Sequence, residues 1–112
     1  MRLLTMTAAA LIALGGATLA DPIEGNWKTK SGETAAIVGC GSAYCITLKT
    51  GKFAGKQIGK FNANGGNYKG SITDPEDDKT YKGKASLNGS TLVMKGCVLG
   101  GLICRGENWS KM

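Results

Sequence analysis

The sequence predicts an all-β fold, a small antiparallel up-and-down β-barrel of about eight short strands with two local disulfides. The first observation is composition, because the 112 residues include 18 glycines and 2 prolines. The second is that these glycines separate short runs of alternating apolar and polar residues, which is typical of strands and tight turns. The third is a set of 4 cysteines arranged as two close pairs. A chain of this length forms one small domain with one small core.

The N-terminal residues have the layout of a secretory signal peptide. Arg2 gives a positive start, an apolar run extends from Leu3 to Leu14, and small residues up to Ala20 precede Asp21. This apolar run is shorter than a helix that spans a bilayer. We therefore predict a signal peptide at residues 1–20 and a single barrel domain at residues 21–112. The predicted location is the periplasm of a Gram-negative bacterium, or the medium outside it.

The formal net charge of +6 favours an anionic partner. For an exported protein this partner is an envelope component, such as lipid headgroups or acidic glycans, and nucleic acid is excluded by compartment. After the signal peptide no apolar stretch approaches the ~18 residues of a membrane-spanning helix. No cysteine lies near Ala20 for attachment of a lipid. We expect a soluble monomer without a transmembrane segment.

The four cysteines are predicted to form structural disulfides, because an even number in a small exported domain is typical of them. Three pairings are possible, and local geometry favours one. A two-residue turn at Gly100-Gly101 places Cys97 opposite Cys104 in a hairpin, at a separation that a disulfide can bridge. Cys40 and Cys45 flank a short loop in the same way. The spacing matches no zinc-ligand pattern and the sequence has no histidine, so we predict no metal site.

Turn signals divide residues 21–112 into the predicted strands. Pairs and clusters of Gly, Asn, Asp and Ser mark the turns, and Asn88-Gly89 is the strongest hairpin signal among them. In order, the predicted strands are about Gly25–Lys30, Ala35–Cys40, Cys45–Thr50, Gln57–Asn62, Tyr68–Thr73, Thr80–Leu87, Thr91–Val98 and Leu102–Trp109.

Three of the turns predict registers that agree with one another. They are a four-residue turn at Pro75–Asp78 and two-residue turns at Asn88-Gly89 and Gly100-Gly101. Because side chains alternate along a strand, a slip of one residue would break this agreement. The turn after Asn64 stays open, since two or three residues fit it equally well. The predicted pairs are Ile72 with Tyr81, Gly70 with Gly83, Lys69 with Lys84, Ala85 with Leu92, Lys82 with Lys95, Leu92 with Trp109 and, for a two-residue turn after Asn64, Phe61 with Tyr68.

Consecutive hairpins with one apolar and one polar face predict a meander, and closure into a barrel removes its exposed edges. A barrel of eight strands is filled by side chains or holds one small ligand. Its small inward residues leave open whether the interior is hollow, and packing favours a filled one. The predicted inward residues are Trp27, Ile37, Ile46, Leu48, Gly70, Ile72, Tyr81, Gly83, Ala85, Leu92, Met94, Gly96 and Trp109.

A pattern in the C-terminal part of the chain resembles a known family. Its elements are Asp74-Pro75-Glu76-Asp77-Asp78-Lys79-Thr80-Tyr81, Gly83-Lys84, Leu87, Leu92, Gly96-Cys97, Ile103-Cys104-Arg105 and Trp109. Together with Gly25-Asn26-Trp27 and the Cys40/Cys45 pair, they resemble the exported bacterial family called domain of unknown function 2147. That family typically has Gly in place of Asp78 and often ends Trp-Thr-Arg. It has no established activity, so the resemblance implies compartment and fold.

Gly25-Asn26-Trp27 also resembles the opening motif of lipocalin-like, or calycin-like, barrels. In those barrels a basic residue of the last strand packs over the tryptophan, and Arg105 or Lys111 can fill that role here. The resemblance implies that Trp27 acts first as a structural lock through a cation–π contact, and second as a ligand contact.

Two groups of residues are candidate binding sites. Because side chains alternate along a strand, Arg105 and Glu107 should point inward like Trp109. There they either pair with each other or contact a polar ligand. With Trp27 and Tyr81 they form the candidate ligand site. On the opposite face, like charges on neighbouring strands are mildly destabilising, which makes a basic patch a candidate site for an anionic partner. The alternative is a solvated, solubilising surface. This patch consists of Lys69, Lys82, Lys84 and Lys95.

The sequence predicts a binding protein and no catalytic residues. It has no histidine to act as a general base, and its serines have no evident base to activate them. The Asp74–Asp78 cluster lacks the ligand spacing of a calcium loop, so we predict no cofactor. The expected partner is a small apolar or anionic ligand inside the barrel, or an anionic envelope component outside it. The alternative is an inhibitor or accessory factor that binds another exported protein, as small barrels that inhibit proteases or lysozymes do.

Overall fold

The computed structural model describes residues 21–112, so the predicted signal peptide lies outside the described residues. Eight antiparallel strands follow one another around a closed barrel, and β8 pairs with β1 to complete it. This confirms the predicted fold class. No helix within residues 21–112 is long and apolar enough to cross a membrane. The strands are β1 (Gly25–Lys28), β2 (Thr34–Cys40), β3 (Ala43–Leu48), β4 (Gln57–Asn64), β5 (Asn67–Asp74), β6 (Lys79–Asn88), β7 (Thr91–Val98) and β8 (Ile103–Lys111).

The hairpins β5–β6 and β7–β8 have the predicted registers. Ile72 lies opposite Tyr81, and Leu92 lies opposite Trp109. The tip of β7–β8 is a single 3₁₀ turn at Leu99–Gly101, in which the Leu102 N–H donates to the Leu99 carbonyl over 3.2 Å.

Two other registers differ from the prediction by two residues. In β6–β7 the turn residues are Gly89 and Ser90, so Ala85 lies opposite Met94 and not Leu92. Of these two turn residues, Gly89 has a positive φ of 64° and Ser90 does not. This suits a type II′ turn, which needs a positive φ at its first central position. This register also places Leu87 opposite the fully buried Leu92.

In β4–β5 the turn residues are Gly65 and Gly66, with φ of 57° and 94°. Positive φ at both central positions is the requirement of a type I′ turn, and glycine meets it without strain. The turn is therefore a two-residue one, but Phe61 lies opposite Gly70 and not opposite Tyr68.

Both predicted disulfides are present. Cys40 and Cys45 have Cα atoms 5.8 Å apart across the β2–β3 hairpin. Cys97 and Cys104 have Cα atoms 4.0 Å apart and lie directly opposite each other at the base of the β7–β8 tip. Each disulfide therefore braces a local hairpin, as the short sequence separations predict.

The barrel interior is filled by side chains. The Phe61 ring is fully buried, and its Cζ atom lies 2.5 Å from the point where a Cβ on Gly83 would be. The backbone of β4 closes against Gly70, because a Cβ there would lie 1.9 Å from the Lys60 carbonyl oxygen. The small residues thus make room for an aromatic ring and for close strand approach. The buried core cluster comprises Ile23, Trp27, Ala35, Ile37, Ile46, Leu48, Ile58, Phe61, Tyr68, Ala85, Leu92, Met94 and Trp109.

Candidate functional site

The five residues of the candidate ligand site do not form one open site. Trp27 and Trp109 are at most 2% exposed, and their indole N–H groups make hydrogen bonds within the protein. The Trp27 Nε1–H donates to the Ile23 carbonyl over 2.9 Å, and the Trp109 Nε1–H donates to the Glu107 carboxylate over 2.6 Å. Tyr81 is half-buried and lies opposite Ile72. The two indole rings are therefore part of the packed core, and their N–H groups are not available to a ligand.

Arg105 is not enclosed within the barrel as predicted. It lies opposite Gly96, is exposed, and makes no ion pair with Glu107 among residues 21–112. The reason is position along β8, since Arg105 lies close to the end of the barrel, whereas Glu107 lies further inside and meets Trp109.

Lys111 is the basic residue that packs over Trp27. Its Nζ lies 4.7 Å from the centre of the ring and donates a hydrogen bond to the Glu24 carbonyl over 2.7 Å. Gly25 allows this approach, because a Cβ at that position would lie 2.7 Å from the lysine Nζ. The contact ties the last strand to the first strand where the barrel closes.

A cluster at the N-terminal end of the described chain joins Asp21 to the starts of β3 and β5. The Asp21 carboxylate accepts hydrogen bonds from the Tyr68 hydroxyl, from the Tyr44 hydroxyl over 3.1 Å, and from the Ile23 N–H over 3.0 Å. Partial burial alone raises the pKa of Asp21, but these hydrogen bonds outweigh it and hold the pKa below its ordinary value. Burial and the hydrogen bond to Asp21 raise the pKa of Tyr68.

We expect this cluster to give the stability a measurable pH dependence. Because the pKa of Asp21 is lowered, its contribution is present above its ordinary value of 3.8 and is lost as the pH falls through the folded-state pKa. Because the pKa of Tyr68 is raised, its contribution is present below about pH 10 and is lost as the pH rises above it. Urea unfolding between acid and alkaline pH should show both losses.

The variants Asp21→Asn and Tyr68→Phe should each flatten one side of this profile. Asp21→Asn should reduce the acid-side slope, and Tyr68→Phe the alkaline-side slope. Asp77→Asn is the matched control, since Asp77 is an exposed turn residue whose carboxylate accepts a hydrogen bond from the Lys79 N–H of the same turn. An Asp21→Asn profile that keeps the native acid slope would contradict the assignment.

The four predicted lysines lie on the outward face of β5, β6 and β7, and all are exposed. Lys69 lies opposite Lys84, as predicted, and Lys84 lies opposite Lys95. The predicted pair of Lys82 with Lys95 is wrong, because the two-residue shift of β7 places Lys82 between Ser71 and Cys97. Lys69, Lys84 and Lys95 therefore form a continuous row across three strands. We call this row, together with Lys82, the lysine face.

The lysine face lies beside the β7–β8 tip. Gly100 and Gly101 line an open hollow of about 460 Å³ together with Lys69, Lys82 and Lys84. The Lys95 stem lies across β8, where its Cγ is 3.2 Å from the position of a Cβ on Gly106. The tip therefore turns toward the outer surface on which the lysines stand.

The ion pairs of residues 21–112 involve other lysines. Lys52 lies 3.8 Å from Glu76, and Lys56 lies 3.0 Å from Asp78. These pairs join the Gly51–Lys56 loop to the acidic turn that follows β5. Within the described chain, the lysine face makes no salt bridge.

The Gly51–Lys56 loop is tied to the barrel. The Gly55 N–H donates to the Leu48 carbonyl over 2.7 Å, and the Phe53 ring packs against the core cluster. A protruding loop at this position would favour a protein partner, and this loop folds back against the barrel instead.

Sequence reasoning missed two features. The Asp21 cluster joins residues 23 and 47 positions apart, which no local pattern reveals. The exposure of the apolar β7–β8 tip was also missed, although its two leucines flanking a Gly-Gly pair are visible in the sequence.

Comparison with known proteins agrees with the resemblance found in the sequence. No curated protein and no solved structure matches the chain. One family of bacterial proteins matches residues 47–111, which run from the end of β3 to the end of β8 and include the lysine face and the Cys97–Cys104 disulfide. Since this match covers more than half of the sequence, the chain belongs to the family described as uncharacterized protein conserved in bacteria (DUF2147).

Proposed function

We propose that this protein is an exported binding protein that holds an anionic component of the bacterial envelope against its lysine face. The observation that supports the proposal most directly is the row of Lys69, Lys84 and Lys95 on neighbouring strands. Like charges directly opposite each other destabilise a sheet by a few tenths of a kcal/mol up to ~1 kcal/mol. An anion bound between them offsets this repulsion, so the arrangement suits a phosphate- or carboxylate-bearing partner.

The filled interior argues against the other binding mode expected from the sequence. Phe61 occupies the space above Gly83, and the backbone of β4 occupies the space beside Gly70. A ligand inside the barrel would have to displace these groups. The filled interior therefore favours a binding site on the outer surface of the barrel.

The proposed compartment is supported by the two disulfides and by the bacterial family. Disulfides persist in the periplasm and outside the cell, and they are rare in the bacterial cytosol. The predicted signal peptide at residues 1–20 is consistent with the same compartment. Our proposal assigns the protein no catalytic role, because the lysine face offers binding groups without a histidine or another evident base.

Removing two charges from the row should weaken binding to anions. We expect the double variant Lys84→Gln/Lys95→Gln to bind vesicles containing phosphatidylglycerol about 30-fold less tightly, since each lysine near an anionic surface contributes about 1 kcal/mol. Binding to soluble dextran sulfate should fall as well, and the dependence of affinity on salt should become less steep. Vesicle sedimentation and fluorescence titration measure these quantities.

The matched control is Lys28→Gln/Lys49→Gln, which removes the same charge from exposed positions on β1 and after β3. The control should keep most of the affinity. If both double variants weaken binding equally, only the net charge matters and the lysine face is not a site. The Lys84→Gln/Lys95→Gln protein should be at least as resistant to urea as the native protein, because a repulsion has been removed.

A further inference from the structure

The β7–β8 tip carries an unusual amount of exposed apolar surface. Leu102 is 84% exposed and Leu99 is 67% exposed, while Ile103 and Val98 at the base of the tip are 54% and 39% exposed. Burial of these side chains in an apolar medium would be favourable in proportion to their area. Adjacent exposed aliphatic side chains of this kind mark an interaction site.

Leu99 is also held in a backbone conformation that does not suit it. Its φ is 52°, in the left-handed region where Gly and Asn are favoured and a branched aliphatic residue is strained. Its neighbour Gly100 has a φ of 67°. The tip thus carries an exposed leucine where local stability favours Asn or Gly. A strained residue that the core does not need points to a role outside the core.

The tip is presented rigidly. The Cys97–Cys104 disulfide closes its base, and the Leu102 N–H bonded to the Leu99 carbonyl fixes its turn. A preorganised loop loses little conformational entropy when it enters another phase or surface. Rigidity therefore lowers the cost of using these exposed side chains for binding.

We propose that the partner of this surface is the lipid bilayer itself, with the β7–β8 tip inserted among the acyl chains and the lysine face held against anionic headgroups. This inference rests on the proposed function and names the anionic component as lipid. The juxtaposition that supports it is the hollow that Gly100 and Gly101 of the tip share with Lys69, Lys82 and Lys84. Apolar side chains beside a basic surface are the combination by which proteins bind the interface of anionic membranes.

The exposed leucines of the tip favour a bilayer over a soluble polyanion as the occupant. A soluble anionic glycan would satisfy the lysines but would leave Leu99 and Leu102 in water. An anionic bilayer satisfies both groups at once, because its charged surface and its apolar layer lie within a few ångströms of each other. A protein partner with an apolar pocket would use the tip without needing anionic lipid, and this difference is measurable.

The first test uses the variant Leu99→Asn. Asparagine tolerates the left-handed conformation, so the melting temperature should stay the same or rise. Affinity for phosphatidylglycerol vesicles should fall about tenfold or more, as expected for loss of one leucine from an apolar medium. Affinity for dextran sulfate should not change. Val38→Gln is the matched control, since Val38 is 55% exposed on β2, away from the tip, and its loss should leave vesicle binding intact.

The second test uses fluorescence of the variant Leu102→Trp. The two native tryptophans are buried, so the added indole reports the environment of the tip. Its emission should shift to the blue with phosphatidylglycerol vesicles and remain unchanged with phosphatidylcholine vesicles or dextran sulfate. Lipids that carry a quencher in their acyl chains should quench it.

The outcomes separate the two proposals. If Lys84→Gln/Lys95→Gln loses both vesicle and dextran sulfate binding while Leu99→Asn keeps vesicle binding, the lysine face binds anions and tip insertion is wrong. If Lys84→Gln/Lys95→Gln retains native binding to both probes, the proposed function is wrong and this inference with it. If the Leu102→Trp emission stays red in the presence of phosphatidylglycerol vesicles, the tip remains in water and the inference is overturned.

Discussion

Substitution of Gly70 by alanine is expected to remove about 3 kcal/mol or more of the free energy of unfolding, as overpacking against rigid groups does. The added Cβ would lie 1.9 Å from the Lys60 carbonyl oxygen and 2.7 Å from the Phe61 Cα, and both are backbone atoms. Backbone atoms can move only if the ladder between β4 and β5 opens. In a domain of this size, such a loss is a large fraction of the whole stability. Urea unfolding followed by circular dichroism, with the disulfides intact, measures it.

Gly96→Ala is the matched control for this prediction. It adds the same methyl group to an inward position on β7 of the same barrel, but the nearest atom is the Ile72 Cγ2 at 3.4 Å, an ordinary contact. We expect a change within about 1 kcal/mol, with either sign, since alanine also restricts the unfolded chain. Equal stability of the Gly70→Ala and native proteins would show that β4 and β5 do not approach as closely as the structure has them.

The strand period of two explains which registers the sequence predicted. A slip of one residue moves every side chain to the other face, so parity fixes the faces of β5 to β8. A slip of two residues leaves every face unchanged, and parity cannot detect it. The alternation of apolar and polar residues therefore cannot distinguish a turn at Asn88-Gly89 from a turn at Gly89-Ser90. It matters for the candidate site, because it places Lys95 opposite Lys84, in line with Lys69, and not opposite Lys82.

A β-bulge in β4 explains why sequence reasoning did not place Ile58 and Phe61 together in the core. The ladder between β3 and β4 shifts between Ile46 and Thr47, which leaves Ile58 as an extra residue. Ile58 and Phe61 are both buried although they are three residues apart, a spacing that simple alternation assigns to opposite faces. A bulge depends on the pairing of two strands, so no pattern within β4 alone predicts it.

The exposure of the tip depends on where the barrel ends. Val98 and Ile103 continue the inward parity of β7 and β8, and the sequence gives no sign that the core stops before them. In the structure both residues lie beyond the packed interior. Val98 is 39% exposed and Ile103 is 54% exposed. The end of a barrel is set by the tilt and stagger of all its strands, which is a global property. The apolar side chains of Val98 and Ile103 are therefore available for binding.

Removal of the Phe61 ring should have a comparably large effect and should change what the interior can hold. Phe61→Ala is expected to cost about 3–5 kcal/mol, as is typical of a fully buried phenylalanine. The ring stands over Gly83 in an apolar setting, so its loss should leave a dry cavity. We expect benzene to raise the melting temperature of Phe61→Ala and to leave that of the native protein unchanged, because only the variant has space for it.

A double-mutant cycle with Gly83 tests the same packing without a ligand. Gly83→Ala alone should be destabilising, because its Cβ would meet Phe61 Cζ at 2.5 Å and Phe61 Cε2 at 2.8 Å. In the Phe61→Ala background the same methyl group enters the vacated space, so the second substitution should cost less or restore part of the stability. Costs that simply add would show that the ring does not occupy the space over Gly83. In that case the interior would be open to a ligand and would compete with the lysine face as the binding site.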